Sequence, residues 1–428
     1  MQQILVIAKQ TFKEAVRNKI LFIFIILGLI TICGSVFMPV VGDGREKIKI
    51  VESMCFRSIT FFGTLAAVLL SASSIPTDIE NKVLSTVTAK PVQRINIIFG
   101  KILGFVYIIG VLLLIMGSVS YVLIRVTALK ESSQGGRGLL AREKFDPVDL
   151  QIAGDSARKI GNVSWIGGGK EAAVWKFKGL YSKDKNDDLE IEANFLIEAK
   201  KKSIGKIPVK VKIINPSSAR VLTESMEISR NKPLFFKLNS KSLDGSGELT
   251  VVVSPENPDD FLGIRSDSLR LFWGEKSFGC NYLKGLIVIS TQFFLMVIIA
   301  VLGSTFLSLP VNILFCLFVF FCGNITDFMR DLSTVINVIE MREHDHGISG
   351  VMRESNVYLV YLNNIIKKPI LLLSYILPDF RYFSVGKYFI DGINIPGIKI
   401  LMGFGYAVLY TLFCLPISFF VFKRKEIA

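Results

Sequence analysis

Long runs of residues without a charged side chain constrain the fold of this chain more than any other feature. Uncharged, mostly apolar stretches cover 20–41, 58–76, 102–124, 285–325 and about 400–422. Because a helix rises 1.5 Å per residue, about 20 apolar residues cross the hydrocarbon core of a bilayer. The run 285–325 is long enough for two crossings, with a turn expected at Leu309-Pro310-Val311-Asn312. The sequence therefore predicts six transmembrane helices.

Hydropathy divides the chain into membrane and water-exposed parts. Of the 428 residues, 51% are hydrophobic and 20% are charged, against roughly 25% charged in a soluble domain. The charge concentrates between the two apolar zones. We expect residues 1–127 to hold an interfacial helix and three spans, 128–283 to form one water-exposed domain, and 284–428 to hold three more spans.

The middle segment has the pattern of an all-β domain. Six short runs alternate apolar and polar residues, as half-buried strands do: Val174–Phe177, Leu189–Phe195, Val209–Ile213, Leu234–Leu238, Leu249–Val253 and Leu269–Trp273. Turn residues separate them, so the spacing predicts a β-sandwich of six or seven strands. The Gly-rich stretches 132–138 and 166–169 are expected to be loops. Trp165, Trp175 and Trp273 are expected in the core rather than on a glycan-binding surface.

The two ends of the chain indicate its orientation. Residues 1–19 have apolar residues at helical spacing and basic residues mostly on one side, which is typical of an interfacial helix. They continue directly into the run 20–41, so we do not expect a cleaved signal. The flanks 1–19, 76–101 and 423–428 carry 11 lysines and arginines, whereas the opposing loop 41–57 carries 4. The positive-inside rule then predicts cytoplasmic termini in a cell membrane and an outward-facing β domain.

The segment 330–396 is harder to assign. Its apolar stretch, Pro369–Phe380, is too short to span a bilayer. We expect a re-entrant or interfacial segment at about 366–396. An extra pair of short spans remains an alternative.

The basic residues and the cysteines exclude some partners. The net charge is +14, but the lysines and arginines are spread over span flanks and the middle segment, so nucleic acid is not an expected partner. Contact with anionic membrane lipid is expected instead. Four of the six cysteines, Cys33, Cys316, Cys322 and Cys414, lie inside apolar stretches without metal-ligand spacing and are expected to be small core residues. A disulfide between Cys55 and Cys280, which flank spans on the same predicted side, remains open.

The sequence contains none of the motifs that would indicate catalysis. It has no phosphate-binding loop of the G-x-x-x-x-G-K-[ST] type, no nucleophile elbow and no zinc motif. The only histidines, His344 and His346, are expected in an exposed polar loop. No ionisable residue lies between the charged flanks of the predicted spans, which disfavours an ion pump. We expect neither a cofactor nor a metal, and the chain is not expected to be an enzyme.

The segment 76–101 is predicted to form a short charged helix outside the membrane. Pro76, Asp78 and Glu80 suit the first turn of a helix, and Lys90 precedes Pro91, where helical geometry is disfavoured. The segment is either a plain solvated loop or a docking surface for a cytoplasmic partner.

This segment resembles the first cytoplasmic loop of ABC-2 type transporter permeases. In that family an acidic residue, a Pro-x-x-Arg turn and a Gly-Lys pair recur in this order, here Glu80, Pro91 to Arg94, and Gly100-Lys101. Residues 8–19 resemble the family's interfacial elbow helix, 304–308 the end of its fourth span, and 422–426 its basic C-terminus. The resemblance covers about two-thirds of the chain. The 150-residue outer domain departs from compact members of the family.

The resemblance implies a permease subunit with six spans that is energised by a separate ABC ATPase. The implied complex contains two permeases, as a homodimer or a heterodimer, and the expected activity is export. The residues expected to receive the motion of the ATPase are Lys13, Arg17, Asp78, Glu80, Arg94 and Lys101. The alternative is a membrane-anchored envelope binding or assembly protein that passes this motion to the β domain without transporting a solute.

Overall fold

The computed structural model describes two compact units. The described residues are 2–39, 44–80, 93–132, 139, 141–154, 158–160, 163–167, 171–180, 189–199, 206–215, 221–229, 234–238, 247–257, 260–265, 268–325, 372 and 376–424. The first unit comprises Met1–Leu139, Tyr282–Asp391 and Ile395–Ala428. The second comprises Leu140–Asn281 and Gly392–Asn394.

The first unit is helical. Its helices are α1 (Gln2–Arg17), α2 (Lys19–Gly34), α3 (Gly44–Ala72), α4 (Ser74–Glu80), α5 (Arg94–Ser132), α6 (Phe278–Ser304), α7 (Leu309–Asn324), α8 (Gly386–Ile390) and α9 (Gly397–Arg424). Among the described residues, five stretches are long and apolar enough to cross a membrane: Lys19–Phe37, Glu46–Asp78, Ile95–Glu131, Phe278–Ser304 and Gly397–Val421. Their length and composition indicate a membrane protein.

Helix α3 begins earlier than the apolar run 58–76 predicts, because the stretch before that run is an amphipathic helix and not a loop. Buried residues recur along it every three or four positions: Ile48, Val51, Cys55 and Ile59. Arg57 and the buried Glu52 therefore lie within α3. The helix that contains the predicted span 58–76 therefore also carries ionisable side chains before that span.

The turn before α7 also differs from its predicted position. It occupies 305–308, and Pro310 lies in the first turn of α7. Proline suits that position because the first N–H groups of a helix have no intrahelical partner. With 16 residues, α7 is about 24 Å long, which equals the length of α2 and is shorter than α3, α5, α6 and α9.

The described part of the segment expected to be re-entrant packs among the helices through aromatic rings. It contains a 3₁₀ helix, Phe380–Phe383, followed by α8. Phe389 of α8 stacks on Phe56 of α3 with ring centroids 4.1 Å apart. The Phe380 ring lies 5.8 Å from that of Phe320 in α7. Residues 373–375 and 326–371, which include both histidines, lie outside the described residues.

The second unit consists of antiparallel β-sheets that share one hydrophobic core. Its strands are β1 (Arg142–Phe145), β2 (Asp149–Ala153), β3 (Arg158–Ile160), β4 (Val163–Gly167), β5 (Ala172–Phe177), β6 (Leu189–Ala193), β7 (Leu196–Ala199), β8 (Lys206–Ile214), β9 (Val221–Ser229), β10 (Leu234–Leu238), β11 (Leu249–Pro255), β12 (Asp260–Ile264) and β13 (Leu269–Glu275). The sheet orders are β1-β13-β6-β10, β2-β5-β11-β8-β9 and β3-β4-β12-β7. Inward-facing residues from all three sheets form the core.

All six runs predicted to be strands fall on strands, and the run 189–195 divides between β6 and the loop before β7. Trp175 and Trp273 are core residues, with 0% and 6% of their surface exposed. The prediction of a loop at 166–169 is wrong for its first half, because Ile166 and Gly167 pair with β12. The turn at Asp244-Gly245 and the Gly-rich stretch 133–138 lie outside the described residues.

Candidate coupling site

The described structure places four of the six candidate coupling side chains. Asp78 and Lys101 contact each other. Lys13 and Arg17 are exposed on α1. Glu80 and Arg94 lie at helix ends, but their side chains are outside the described part of the chain, as are residues 81–92 with the predicted Pro91 turn.

Lys101 is a buried cation whose ammonium group contacts two residues of the short helix α4. Its side chain is 4% exposed and forms an ion pair with Asp78 of α4, whose side chain is 17% exposed. The Lys101 ammonium also donates to the Ser74 hydroxyl at 2.6 Å and to the Ser74 carbonyl oxygen at 3.0 Å. A buried ammonium requires such partners because desolvation otherwise makes the charged form costly. This contact therefore holds α4 against α5.

The break between α3 and α4 leaves backbone groups to be satisfied. Helix α3 ends at Ala72, so its last carbonyl groups lack intrahelical partners. Lys101 contacts Ser74, the first residue of α4. The side-chain amide of Asn312, in α7, donates to the carbonyl of Ala72 at 3.3 Å and to that of Ala300 at 3.0 Å. Two polar side chains from other helices thus stabilise the junction.

Helix α1 packs closely on the first turns of α5, next to Lys101. A Cβ atom built on Gly100 would lie 2.7 Å from the Cβ of Ile7, and one built on Gly104 would lie 2.7 Å from the Cβ of Thr11. The two glycines, at the small-xxx-small spacing of a close helix contact, therefore allow the helices to approach to this distance. The side-chain amide of Asn96 also donates to that of Gln3 at 3.1 Å.

The register of this contact fixes which face of α1 is free. Gln3 meets Asn96, Ile7 meets Gly100 and Thr11 meets Gly104, so residue numbers rise together and α1 runs parallel to α5. The small residues Ala8, Thr11 and Ala15 are buried, whereas Lys13 and Arg17 are exposed one turn apart. The interfacial position of α1 in a membrane stays a prediction.

The arrangement separates two kinds of candidate residue. Asp78 and Lys101 contact each other and Ser74, so their position suits holding helices together. Lys13 and Arg17 present cationic groups that an acidic surface can contact. Sequence reasoning placed Asn312 in a turn, although an asparagine within an apolar run is a recognisable signal of an interhelical hydrogen bond.

The described residues include no cluster of three or more histidine, cysteine or acidic side chains that could hold a metal ion. Cys55 and Cys280 are both free thiols. The disulfide that the sequence left open is therefore not formed.

Comparison with known proteins does not assign the chain to a family. No protein-family model matches it, and no curated protein matches it. One similar solved structure contains the CBM22-1 and GH10 modules of Clostridium thermocellum endo-1,4-beta-D-xylanase 10B, complexed with xylohexaose. The sequence identity is 9%, the match covers 32% of this chain and 28% of that chain, and the TM-score is 0.19. A similarity this low carries no conclusion about fold or function.

Proposed function

We propose that the chain is the membrane-spanning subunit of an ABC-2 type ABC exporter that is energised by a separate ATPase. In this proposal both termini lie in the cytoplasm, and six helices span the inner (cytoplasmic) membrane: α2, α3, α5, α6, α7 and α9. The second unit is a β-sandwich outside the membrane. The chain pairs with a copy of itself or with a second permease, and it hydrolyses no ATP itself.

The observation that carries the proposal is the packing of α1, α4 and α5 around Lys101. A subunit driven by a partner needs a surface that the partner can contact and a rigid connection from that surface to its spans. Lys13 and Arg17 are exposed on α1, which packs against Gly100 and Gly104 of α5. The next residue after Gly100, Lys101, anchors α4. Force applied to α1 or α4 would therefore act directly on α5.

The same packing assigns different roles to the candidate residues. Lys13 and Arg17 would bind the ATPase, because they are exposed cations on a helix fixed by its opposite face. Asp78 and Lys101 would transmit the motion as a buried ion pair. Glu80 and Arg94, at the ends of α4 and α5 that the segment 81–92 connects, would also contact the ATPase.

Purification of the complex with its ATPase tests this proposal. The chain would be co-expressed with an ATPase encoded beside its gene, and the complex would be reconstituted in liposomes for measurement of ATP hydrolysis. We expect Lys13→Glu with Arg17→Glu to reduce recovery of the ATPase, because acidic residues would repel an acidic partner surface. Reversing Glu80 and Arg94 is expected to lower coupled hydrolysis or recovery.

Arg125→Glu is the matched control for these charge reversals, since Arg125 is an exposed cation near the other end of α5. It should leave recovery and hydrolysis unchanged. The proposal would be contradicted if recovery of the ATPase and ATP hydrolysis were unchanged both after charge reversal at Lys13 and Arg17 and after charge reversal at Glu80 and Arg94.

A second function is favoured by three residues between α8 and α9 that belong to the second unit. The chain leaves the helical unit after Asp391, contributes Gly392–Asn394 to the β unit, and returns to the helical unit at Ile395. The Arg142 N–H donates to the Gly392 carbonyl at 2.9 Å, and the Asn394 N–H donates to the Arg142 carbonyl at 2.8 Å. The Asn281 side chain donates to the Ile393 carbonyl at 3.0 Å.

These backbone bonds join a short segment adjacent to α9 firmly to strand β1. The alternative to export is therefore an envelope binding or assembly protein that passes ATPase motion to its β unit without transporting a solute. ATP-driven changes in hydrogen exchange at the N–H groups of Arg142 and Asn394, without solute uptake or release by the liposomes, would favour this alternative. Substrate movement that depends on ATP would favour the exporter.

A further inference from the structure

A polar cavity within the helical unit contains cationic groups that the proposed coupling does not use. It has a volume of about 420 Å³ and lies among α3, α6, α7 and residues 380–390. Its lining combines two cations, two amides and several aromatic rings: Arg57, Lys387, Gln292, Asn324, Phe61, Phe320 and Phe380.

The charges that line this cavity are all positive. Arg57 and Lys387 belong to different elements, and neither has an ion-pair partner among the described residues. Among the described residues, no acidic side chain lines the cavity. The carboxylate of Asp379, close by in sequence, is occupied by Arg381, whose Nε lies 2.8 and 2.9 Å from its two oxygens. The described lining therefore carries a net positive charge.

Gln292 supplies an independent sign that the cavity accepts a polar ligand. It lies near the middle of α6 and is only 3% exposed. Its side-chain amide has no hydrogen-bond partner among the described residues, although it lines the cavity. Because buried amides are normally hydrogen-bonded, a ligand that accepts a hydrogen bond would satisfy it.

The position of the cavity indicates that the ligand comes from the bilayer. Arg57 lies within the candidate span Glu46–Asp78, about 22 Å along the helix from the end of α3 at Ala72. Because the hydrocarbon core of a bilayer is about 30 Å thick, its guanidinium then lies toward the far side of the bilayer, within reach of the lipid headgroups, where a phosphate would balance its charge. Phe61 lines the cavity and is 44% exposed. An apolar chain can therefore leave the cavity along this ring.

We propose that this cavity binds the headgroup of a net-anionic phospholipid. The planar guanidinium of Arg57 can donate two hydrogen bonds to phosphate oxygens, and Lys387 adds a second positive charge from the opposite element. Gln292 donates a further hydrogen bond. Phe320 and Phe380 contact the first methylene groups of the acyl chains. The site does not depend on the proposed ATPase, and no residue of the coupling site lines it.

Retention of lipid by the full-length protein tests the proposal. The protein would be reconstituted in nanodiscs of phosphatidylcholine with a minor fraction of phosphatidylglycerol, and lipids that stay bound after release would be identified by native mass spectrometry. We expect preferential retention of phosphatidylglycerol. Arg57→Gln and Lys387→Gln should each lower the ratio of retained phosphatidylglycerol to phosphatidylcholine about tenfold, the effect of one charge-assisted hydrogen bond.

Two control variants distinguish the site from general attraction of lipid to basic residues. Arg57→Lys keeps the charge but loses the paired donation of the guanidinium, so its preference should fall between those of the wild type and Arg57→Gln. Arg125→Gln removes an exposed cation outside the cavity and should change nothing. Unchanged retention in the Arg57→Gln and Lys387→Gln double variant would overturn the proposal.

Two measurements on the unmodified protein test the proposal without depending on whether a variant folds. Equal retention of phosphatidylglycerol and phosphatidylcholine would overturn the proposal. Displacement of phosphatidylglycerol by inorganic phosphate would also overturn it, because the site would then bind a soluble anion. Retention that phosphate does not change supports it.

Discussion

Removing either member of the Lys101–Asp78 pair should destabilise the helical unit, and removing both should destabilise it less than the sum of the two. The variants are Lys101→Met and Asp78→Asn, alone and together. Methionine keeps most of the length of the lysine side chain without its charge, and asparagine keeps the shape of the aspartate. The experiment therefore measures the interaction of the two charges rather than the loss of packing.

The burial of the two side chains gives the expected magnitudes. Asp78→Asn leaves the Lys101 ammonium, with 4% of its side chain exposed, against neutral acceptors only. Breaking a buried pair in this way costs about 3–5 kcal/mol. Lys101→Met leaves a carboxylate with 17% of its side chain exposed, which water can partly solvate, so we expect about 2–3 kcal/mol. The double variant leaves no buried charge and should give a coupling energy of about 2 kcal/mol.

Equilibrium unfolding of the purified protein in mixed micelles of increasing SDS content measures these free energies. Lys13→Met is the matched control, because it replaces an exposed lysine and should change the free energy of unfolding by less than about 0.5 kcal/mol. Single variants within 1 kcal/mol of the wild type, or strictly additive effects, would refute the role of the ion pair.

Three further predictions concern other contacts. Gly104→Ala should destabilise the protein and free α1 from α5. Gly110→Ala, where a Cβ meets nothing within 4 Å, should be neutral or stabilising by up to about 1 kcal/mol. Thermal melting and limited proteolysis of α1 compare the two variants. Asn312→Ala should cost about 1–2 kcal/mol in SDS unfolding, because two interhelical hydrogen bonds are lost. Arg142→Met should lower the melting temperature of the β unit, because it removes the buried ion-pair partner of Glu190. Lys206→Met should leave the melting temperature nearly unchanged, because the side chains of Lys206 and its partner Glu227 are 59% and 66% exposed.

The helices that the sequence predicts well are those without charge on any face. An unbroken apolar run needs no periodicity to indicate a buried or lipid-facing helix, and α2, α5, α6 and α9 all contain one. The first part of α3 was missed because charged residues between its buried positions interrupt the run. The helical spacing of Ile48, Val51, Cys55 and Ile59 was nevertheless present in the sequence.

The β unit shows the same dependence on pattern. Strands such as β11, in which buried and partly exposed residues alternate strictly, were predicted. The edge strand β9 was missed because Leu222, Thr223, Glu224 and Ser225 are all exposed. Only its last residues face the core, through Met226 and Ile228, and so short an alternation is a weak period-two signal. Its nine-residue pairing with β8 is a tertiary property that local sequence does not encode.

The coupling site could be predicted in part, because its residues come from distant parts of the chain. The spacing of Gly100 and Gly104 indicates a close helix contact, but it does not identify the partner, which lies 93 positions earlier in the sequence. Lys101 and Asp78 were both recognised as candidates through the family resemblance. Their pairing depends on the break between α3 and α4. Pro76 indicates that break, because it has no N–H to donate to the carbonyl of Ala72, but the sequence does not show that Lys101 meets the helix that follows.

The geometry makes docking and transmission separable in the proposed mechanism. A variant at Lys13 or Arg17 changes only exposed side chains, so it would weaken binding of the ATPase and leave the contact of α1 with α5 intact. A variant at Lys101 changes a buried contact and leaves the cationic surface of α1 unchanged. If motion passes from α1 and α4 to α5, the first class should lose the partner, whereas the second should retain the partner and lose coupled ATP hydrolysis. A rigid anchor without transmission would instead give wild-type coupling in every Lys101 variant that folds.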